Sequence, residues 1–161
     1  MIRLGLCCLF LEQPIKFKTT TATHLLRSPR RDQLARLSAL CLYNARSLLD
    51  AIEYCGAHYI GCFRVNSQFW PVKTHPEAGY DLADLPGAEG IGAILARCRQ
   101  RAWELNVRLS FHPDQFVLLS SPKPEVVENS IKELEYQAQV SELIGADVIN
   151  IHGGQGSGED G

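Results

Sequence analysis

The sequence predicts an α/β protein in which four strands of a parallel sheet alternate with helices. Short apolar runs suited to buried strands are separated by longer segments in which apolar residues recur every three or four positions. The resulting order, βαβαβαβ, is typical of a parallel sheet built from crossover connections. With 161 residues and a hydrophobic fraction of 45%, the chain can form one domain with a substantial core.

The first strand is predicted over residues 2–8, an apolar run that ends in a long polar loop. The first helix is predicted over residues 31–55, and Gly56 stands where a left-handed residue would end it. Its buried stripe consists of apolar residues spaced by three or four: Leu34, Leu37, Cys41, Ala45, Leu48 and Ile52.

The second, third and fourth strands are predicted over residues 59–65, 107–111 and 147–151. A second helix lies between the second and third strands, after a loop rich in proline and glycine; its apolar stripe is Ile91, Ile94, Leu95, Cys98, Ala102 and Leu105. A third helix begins with Pro124 in its first turn and ends at Gly145. Its predicted buried side is Val127, Ile131, Leu134 and Ala138.

Two architectures contain this order of elements, an open doubly wound sheet and part of a (β/α)8 barrel. No G-x-G-x-x-G follows the first strand, which disfavours the dinucleotide-binding form of the open sheet. Four strands are half of a barrel, which typically needs about 250 residues. The chain also stops within the glycine-rich residues 153–161. We therefore expect residues 1–161 to be a single partial domain, truncated after its fourth strand, with an exposed sheet edge unless something covers it.

Charge and cysteine content narrow the function classes. The formal net charge is -2, so any nucleic-acid role must come from a local basic patch. The six cysteines form no C-x-x-C pair and are expected to be free, buried thiols in a reducing cytosol. No apolar run approaches the roughly 20 residues that span a bilayer, and no signal peptide is recognisable. We expect a soluble cytoplasmic protein without a membrane partner.

Two histidines follow neighbouring strands of the predicted sheet. His112 comes directly after the third strand and His152 after the fourth. Because parallel strands lie about 4.8 Å apart, side chains just past their carboxyl ends can converge on one metal ion. A pair of hydrogen-bonded polar residues is the alternative. His75, in a loop well past the second strand, could fold back over the same edge or be exposed.

The loop between the first strand and the first helix is basic. Residues 16–31 carry five lysines or arginines, Lys16, Lys18 and Arg27 among them, and no acidic residue. Cations interleaved with hydroxyl groups suit phosphate oxygens, although a solvated loop is the alternative. Gln115 and Phe116 stand beside His112, where an aromatic next to an amide could wedge into a duplex or pack in the core.

The chain resembles the UV-damage endonucleases over essentially its whole length. Six segments in order carry the resemblance: Met1-Ile2-Arg3-Leu4-Gly5, Lys16-Phe17-Lys18-Thr19-Thr20-Thr21-Ala22-Thr23, Phe63-Arg64-Val65-Asn66-Ser67-Gln68, Thr74-His75-Pro76 with Gly79-Tyr80-Asp81, Leu109-Ser110-Phe111-His112-Pro113-Asp114-Gln115-Phe116, and Ile149-Asn150-Ile151-His152-Gly153-Gly154. The resemblance implies the N-terminal half of a (β/α)8 barrel of the endonuclease IV and xylose isomerase-like type. It further implies an enzyme that nicks double-stranded DNA 5′ to UV lesions, both cyclobutane dimers and 6-4 photoproducts, to start excision repair.

The resemblance also implies roles for particular residues. His112 and His152 match two ligands of one ion in a divalent metal cluster, with manganese expected and magnesium, cobalt or zinc as alternatives. Gln115 and Phe116 match the residues that probe the distorted base pair, and His75 matches a histidine of the catalytic face that is expected to contact the DNA with them. The basic loop, with Lys16, Lys18 and Arg27, would contact the phosphate backbone.

Two features depart from or limit this pattern. Many members of the family carry tyrosine where this chain has Leu6. The remaining metal ligands should come from strands five to eight, so the fragment alone is expected to be inactive.

No obligate protein partner is expected, and the enzyme would associate with the nucleoid when acting. A metal-dependent sugar isomerase or epimerase of the same barrel class, and a non-catalytic half-barrel that binds DNA, are the alternative functions.

Overall fold

The computed structural model describes residues 2–153 and confirms an α/β fold with a four-stranded parallel sheet. The strands are β1 (Gly5–Cys7), β2 (Cys62–Val65), β3 (Arg108–Phe111) and β4 (Val148–Ile149), and they lie side by side in sequence order. The predicted glycine-rich loop lies, from residue 154 onward, outside the described residues. Each observed strand is shorter than its prediction.

Three long helices connect the strands. They are α2 (Arg30–Ala57), α3 (Ala88–Glu104) and α4 (Pro124–Ile144), and α3 packs between the other two. Two short elements escaped the sequence analysis, the single turn α1 (Ala22–Leu25) and a 3-10 turn at Leu82–Asp84.

The core lies between the helices and one face of the sheet. Strand residues alternate between the two faces, and the register aligns Leu6 with Phe63 and Phe63 with Leu109 on the helix-covered side. The opposite face carries more polar side chains in the same register, Cys7, Arg64 and Ser110, and none of them belongs to the hydrophobic core. The sheet thus has one apolar face and one polar face.

The glycine predicted to end the first long helix has another role. Gly56 lies inside α2, and a Cβ at this position would come within 2.8 Å of Leu105 Cδ1. The left-handed residue that follows the helix is Tyr59, with a φ of 57°. Gly145, by contrast, ends α4 in the left-handed region with a φ of 73°, as predicted. Gly56 is therefore required for close packing rather than for the turn.

The predicted buried stripe of α4 is wrong. Ile131 and Ala138 are exposed, and Val127 and Leu134 are only half-buried. The helix instead buries another face, formed by Ser130, Tyr136, Gln137, Val140, Ser141 and Ile144. The spacing correctly revealed an apolar stripe, but spacing alone does not say which side of a helix meets the sheet. The stripe faces away from the core described above.

Arg3 ties the first strand to two distant loops. Its guanidinium donates to the carbonyls of Gly61 and Asn106 at 3.2 and 2.9 Å and to Asn106 Oδ1 at 2.9 Å. These contacts lie at the amino end of the sheet, opposite to the edge where the two histidines follow their strands.

All six cysteines are free, as predicted, but only Cys41, Cys55 and Cys98 are buried. Burial raises the pKa of the Cys41 thiol to about 11 and that of Cys98 to about 12, so both remain protonated at neutral pH. Within the described residues, no helix has the length and apolar character that crossing a bilayer requires.

Candidate functional site

The structure brings the two strand-end histidines together. The ring centres of His112 and His152 are 4.7 Å apart. The Nδ1 of His112 lies 2.8 Å from the carbonyl oxygen of Asn150, to which it donates as Nδ1–H. This hydrogen bond fixes the tautomer, because it leaves the lone pair of His112 on Nε2. His112 thus offers a metal ligand held by a backbone acceptor.

The pair fits two positions of a metal site. Two imidazoles bound to one ion at about 90°, with metal–nitrogen bonds of about 2.1 Å, have ring centres roughly 4.6 Å apart. The observed separation of 4.7 Å agrees with this value. Among residues 2–153, no group of three or more His, Cys, Asp or Glu side chains could hold a metal ion. A metal ion held by this pair would therefore need further donors from beyond the described part of the chain.

An open cleft of about 350 Å³ surrounds the histidine pair. Its other lining residues include Cys8, Arg64, Asn66 and Asp114. Arg64 was not singled out from the sequence as a site residue, although its position carried a signal. It precedes the last residue of β2 and alternates with the buried Phe63 and Val65, so it must lie on the polar face of the sheet. A guanidinium beside two imidazoles suits a phosphate group.

The predicted lesion-probing residues lie between this cleft and a larger one. Gln115 lines the histidine cleft, and Phe116 lines the neighbouring cleft of about 640 Å³. Phe116 is 74% exposed, so the core-packing alternative is wrong for this side chain. Its backbone N–H donates to Asp114 Oδ1 at 3.1 Å, and Val117 is buried just after it. The aromatic ring is thus presented to solvent on an anchored turn.

The larger cleft was not predicted from the sequence. Its wall includes Tyr136 of α4, whose hydroxyl accepts from the backbone N–H of Trp70 at 2.9 Å and donates to the Ser67 carbonyl at 3.1 Å. Glu133 lies in the same wall and accepts from Thr74 Oγ1 at 3.0 Å. Burial raises the pKa of the Glu133 carboxyl. Ser67 lines both clefts, so Tyr136 holds a wall that they share.

The three basic residues predicted to contact phosphate lie on the β1–α2 loop in different surroundings. The Lys16 ammonium donates to the Phe10 carbonyl at 2.8 Å, and Lys18 Nζ lies 3.9 Å from the centre of the Tyr43 ring. Arg27 is exposed. Lys16 and Lys18 therefore have fixed positions, whereas Arg27 extends into solvent.

A buried asparagine holds this loop against the helix layer. The Asn44 side chain, fully buried in α2, donates to the carbonyls of Lys18 and Phe69 and accepts from the Lys18 N–H, each at 2.8 Å. Ser47, one turn later, donates to the Lys16 carbonyl at 2.7 Å. Since Phe69 lies in the loop after β2, Asn44 joins two loops of the candidate site.

The structure does not bring His75 to the histidine pair. Its Nδ1 accepts from the backbone N–H groups of Glu77 and Ala78, each at 3.2 Å, and the residue lines neither cleft. The imidazole is half-buried and stabilises its own turn.

Together, these features define an α/β protein with a histidine pair and an exposed aromatic residue at the carboxyl edge of a parallel sheet. The family model for UV-endonuclease UvdE matches residues 2–161, and the chain belongs to this family. A UV DNA damage endonuclease of Nostoc sp. is 33% identical over 94% of this chain and 48% of its own length. The corresponding protein of Deinococcus radiodurans is 30% identical over 96% and 51%.

A solved structure supports the same relationship. The crystal structure of SacUVDE superposes with a TM-score of 0.77 at 27% sequence identity, and the match covers 96% of this chain and 50% of that one. The chain therefore spans about half the length of the relatives it matches.

Proposed function

We propose that this chain supplies the N-terminal half of a metal-dependent repair endonuclease that nicks DNA 5′ to UV photoproducts, cyclobutane dimers and 6-4 photoproducts. The enzyme would act in the cytoplasm, on the nucleoid. The observation that carries the proposal is the His112–His152 pair, 4.7 Å apart, with the Nε2 lone pair of His112 available. Membership of the UV-endonuclease UvdE family supports it.

Residues 1–161 would form one partial domain, half of a (β/α)8 barrel of the endonuclease IV and xylose isomerase-like type. Four adjacent parallel strands, half of the eight in such a barrel, favour this arrangement. The match to about half of each relative favours it too.

His112 and His152 would hold a divalent ion, with Mn²⁺ expected and Mg²⁺, Co²⁺ or Zn²⁺ as alternatives. Such an ion, when bound, activates a water and stabilises the leaving oxyanion of a phosphodiester. Arg64 would orient the scissile phosphate through charge-assisted hydrogen bonds, because it lines the same cleft as both imidazoles. The carbonyl of Asn150 keeps His112 in the tautomer that coordination needs.

Binding of the damaged duplex would use the rest of the carboxyl edge. Phe116 and Gln115 would enter the base stack at the lesion, where weakened stacking makes insertion less costly. Lys16, Lys18 and Arg27 would contact phosphates of the backbone. His75, whose ring is held by its own turn, would contact the DNA at this edge as well.

The metal site is tested by measuring Mn²⁺ binding to the purified chain, with calorimetry and the EPR signal of the ion as the two readouts. We expect His112→Ala and His152→Ala each to weaken binding about tenfold or more, since each removes one of two protein ligands. His58→Ala is the matched control, because His58 lies in the α2–β2 connection at the other end of the sheet. Equal affinity in all variants would contradict the assignment.

DNA recognition and cleavage need separate measurements. The chain should bind an irradiated duplex more tightly than the same duplex without lesions, and Phe116→Ala should remove the preference. For cleavage, the chain would be fused to the part of the Nostoc sp. relative that it does not match. This fusion should nick irradiated DNA with Mn²⁺, and His112→Ala should abolish nicking. A fusion that folds but isomerises sugars instead would favour the alternative barrel enzyme.

A further inference from the structure

The larger cleft, of about 640 Å³, differs in charge from the histidine cleft. Lys73 is the one cation among the described residues that line it, and its Nζ already pairs with Asp81 Oδ1 at 2.9 Å. Two carboxylates, those of Asp114 and Glu133, lie in the same wall. The charge of this wall is therefore negative, which opposes the binding of a phosphate group.

The same wall offers hydrogen-bonding groups to a ligand. Gln68 Oε1 accepts from Thr19 Oγ1 at 3.2 Å, which leaves the amide nitrogen of Gln68 to donate to another partner. Glu133 Oε2 accepts from Thr74 Oγ1 at 3.0 Å and keeps further lone pairs for a second donor. A bound molecule with both donors and acceptors along its edge would satisfy these groups.

A buried donor in the wall lacks a partner. Trp70 is only 2% exposed and lines the cleft, and its Nε1–H has no hydrogen-bond partner within residues 2–153. A buried donor that stays unpaired costs free energy, so the structure is stabilised when a ligand brings an acceptor to it. This indole is a second sign, independent of the cleft's shape, that the cleft takes a ligand.

Apolar and aromatic surfaces complete the lining. Phe116, 74% exposed, stands at the cleft, and Val72, Val117 and Val126 contribute apolar walls. The volume lies in the range of sites for small molecules. An uncharged, flat molecule with polar edges fits this combination, and a nucleobase is such a molecule. Glutamine side chains pair with the edge of adenine, and aromatic rings stack on the faces of bases.

The cleft lies on the opposite side of the Gln115–Phe116 pair from the two histidines. Gln115 lines the histidine cleft and Phe116 the larger one, while Ser67 and Asp114 line both. Under the proposed function, the histidine cleft holds the phosphate that is cut, so it faces the strand that carries the lesion. The larger cleft, beyond Phe116, would then face the other strand.

We propose that the larger cleft receives the base opposite the lesion, a purine, when Phe116 takes its place in the stack. The assignment rests on the proposed function, in which the lesions are pyrimidine dimers and their partners are purines. A base that has lost its normal pairing costs less to extrude, and an inserted aromatic ring fills the gap that it leaves. Gln68 would pair with the edge of the purine, and Glu133 would accept from its amino group.

Photo-crosslinking tests where the opposite base lies. A duplex with one thymine dimer would carry 8-azidoadenine in place of an adenine opposite the dimer, and peptide mapping would locate the label on the purified chain. We expect the label within residues 66–74 or 126–136, and no label there with the undamaged duplex. A label confined to the histidine cleft, or no label on a chain that binds the damaged duplex, would overturn the proposal.

Two neighbouring valines of α4 supply matched variants. Val126→Trp fills the cleft and should weaken binding of the damaged duplex about tenfold, the effect of losing one stacked base, while undamaged duplex binds as before. Val127→Trp makes the same change at a position that lines neither cleft, and should leave both affinities unchanged. Circular dichroism would establish that both variants are folded. A folded Val126→Trp variant with the parent's affinity for damaged duplex would overturn the proposal.

Free deoxyadenosine separates this inference from the proposed function. It should shift the NMR signals of the valine methyl groups in the cleft, whereas inorganic phosphate should not, and shifts with phosphate alone would overturn the assignment of a base. A chain that binds deoxyadenosine there without preferring irradiated duplex would support the base site and contradict the proposed function. A preference for irradiated duplex, with the label outside the cleft, would support the proposed function and overturn this inference.

Discussion

Removing the Asn44 side chain should destabilise the protein through the two loops it joins. Asn44→Ala deletes three hydrogen bonds of 2.8 Å, made with the N–H and C=O of Lys18 and the C=O of Phe69. A net contribution of about 1 to 1.5 kcal/mol for each bond, with buried partners left unsatisfied, gives a loss of about 3 to 5 kcal/mol. The β1–α2 loop would then separate from α2, and Lys16 and Lys18 would lose their fixed positions.

Urea denaturation followed by circular dichroism measures this loss as a change in the free energy of unfolding. Asn129→Ala is the control, since Asn129 is an exposed residue of α4 and its removal should change stability by less than about 0.5 kcal/mol. Affinity for undamaged duplex DNA should also fall in Asn44→Ala. A loss of stability below about 1 kcal/mol would refute the reasoning, because it would mean that other contacts hold the loops.

Three further substitutions have expected outcomes. Tyr136→Phe should lower the free energy of unfolding by about 1 to 3 kcal/mol, because it leaves the backbone N–H of Trp70 and the carbonyl of Ser67 unpaired in the folded protein. Urea denaturation measures this loss. Gly145→Ala should cost about 1 to 2 kcal/mol in the same assay, because its φ of 73° strains any residue with a Cβ. Glu133→Gln should raise the melting temperature at neutral pH, because burial raises the pKa of this carboxyl above its ordinary 4.5 and penalises its charged form.

The Glu133 prediction has a defined pH dependence. Below the unfolded pKa the carboxyl is protonated in both states, so the advantage of glutamine should disappear on acidification and return as the pH rises through the folded pKa. A difference that does not change with pH would indicate a packing effect instead. For Gly145, a melting temperature equal to that of the parent would contradict the strain argument. For Tyr136, an unchanged stability would mean that water replaces the hydroxyl.

The sequence predicts best those features that depend on neighbouring residues. Pro124 and Gly145 mark the ends of α4 because their backbone preferences act locally. The positions of His112 and His152 follow from strand order, because parallel strands end at one edge of the sheet. The direction in which the predicted apolar stripe of α4 faces could not be inferred in this way. Its spacing fixes a face of the helix, and only the tertiary neighbours decide whether that face meets the sheet.

Contacts between distant residues account for what the sequence analysis missed. The larger cleft depends on Tyr136 reaching Ser67 and Trp70, more than sixty positions earlier, and no local pattern encodes that meeting. The sequence placed Arg64 in a strand, but its part in the candidate site depends on the cleft that it shares with two histidines from other elements. His75 does not lie with the histidine pair, and its hydrogen-bond partners come from its own turn instead.

The Arg3 contacts have a consequence for the order of folding. The guanidinium reaches Gly61 and Asn106, which are 58 and 103 positions away along the chain. Closing such long loops carries a large entropic cost before any contact forms, so β1 should dock after β2, β3 and their helices have assembled. The amide protons of β1 should accordingly exchange with solvent sooner than those of α2, and the amino terminus would be the first part of the sheet to open.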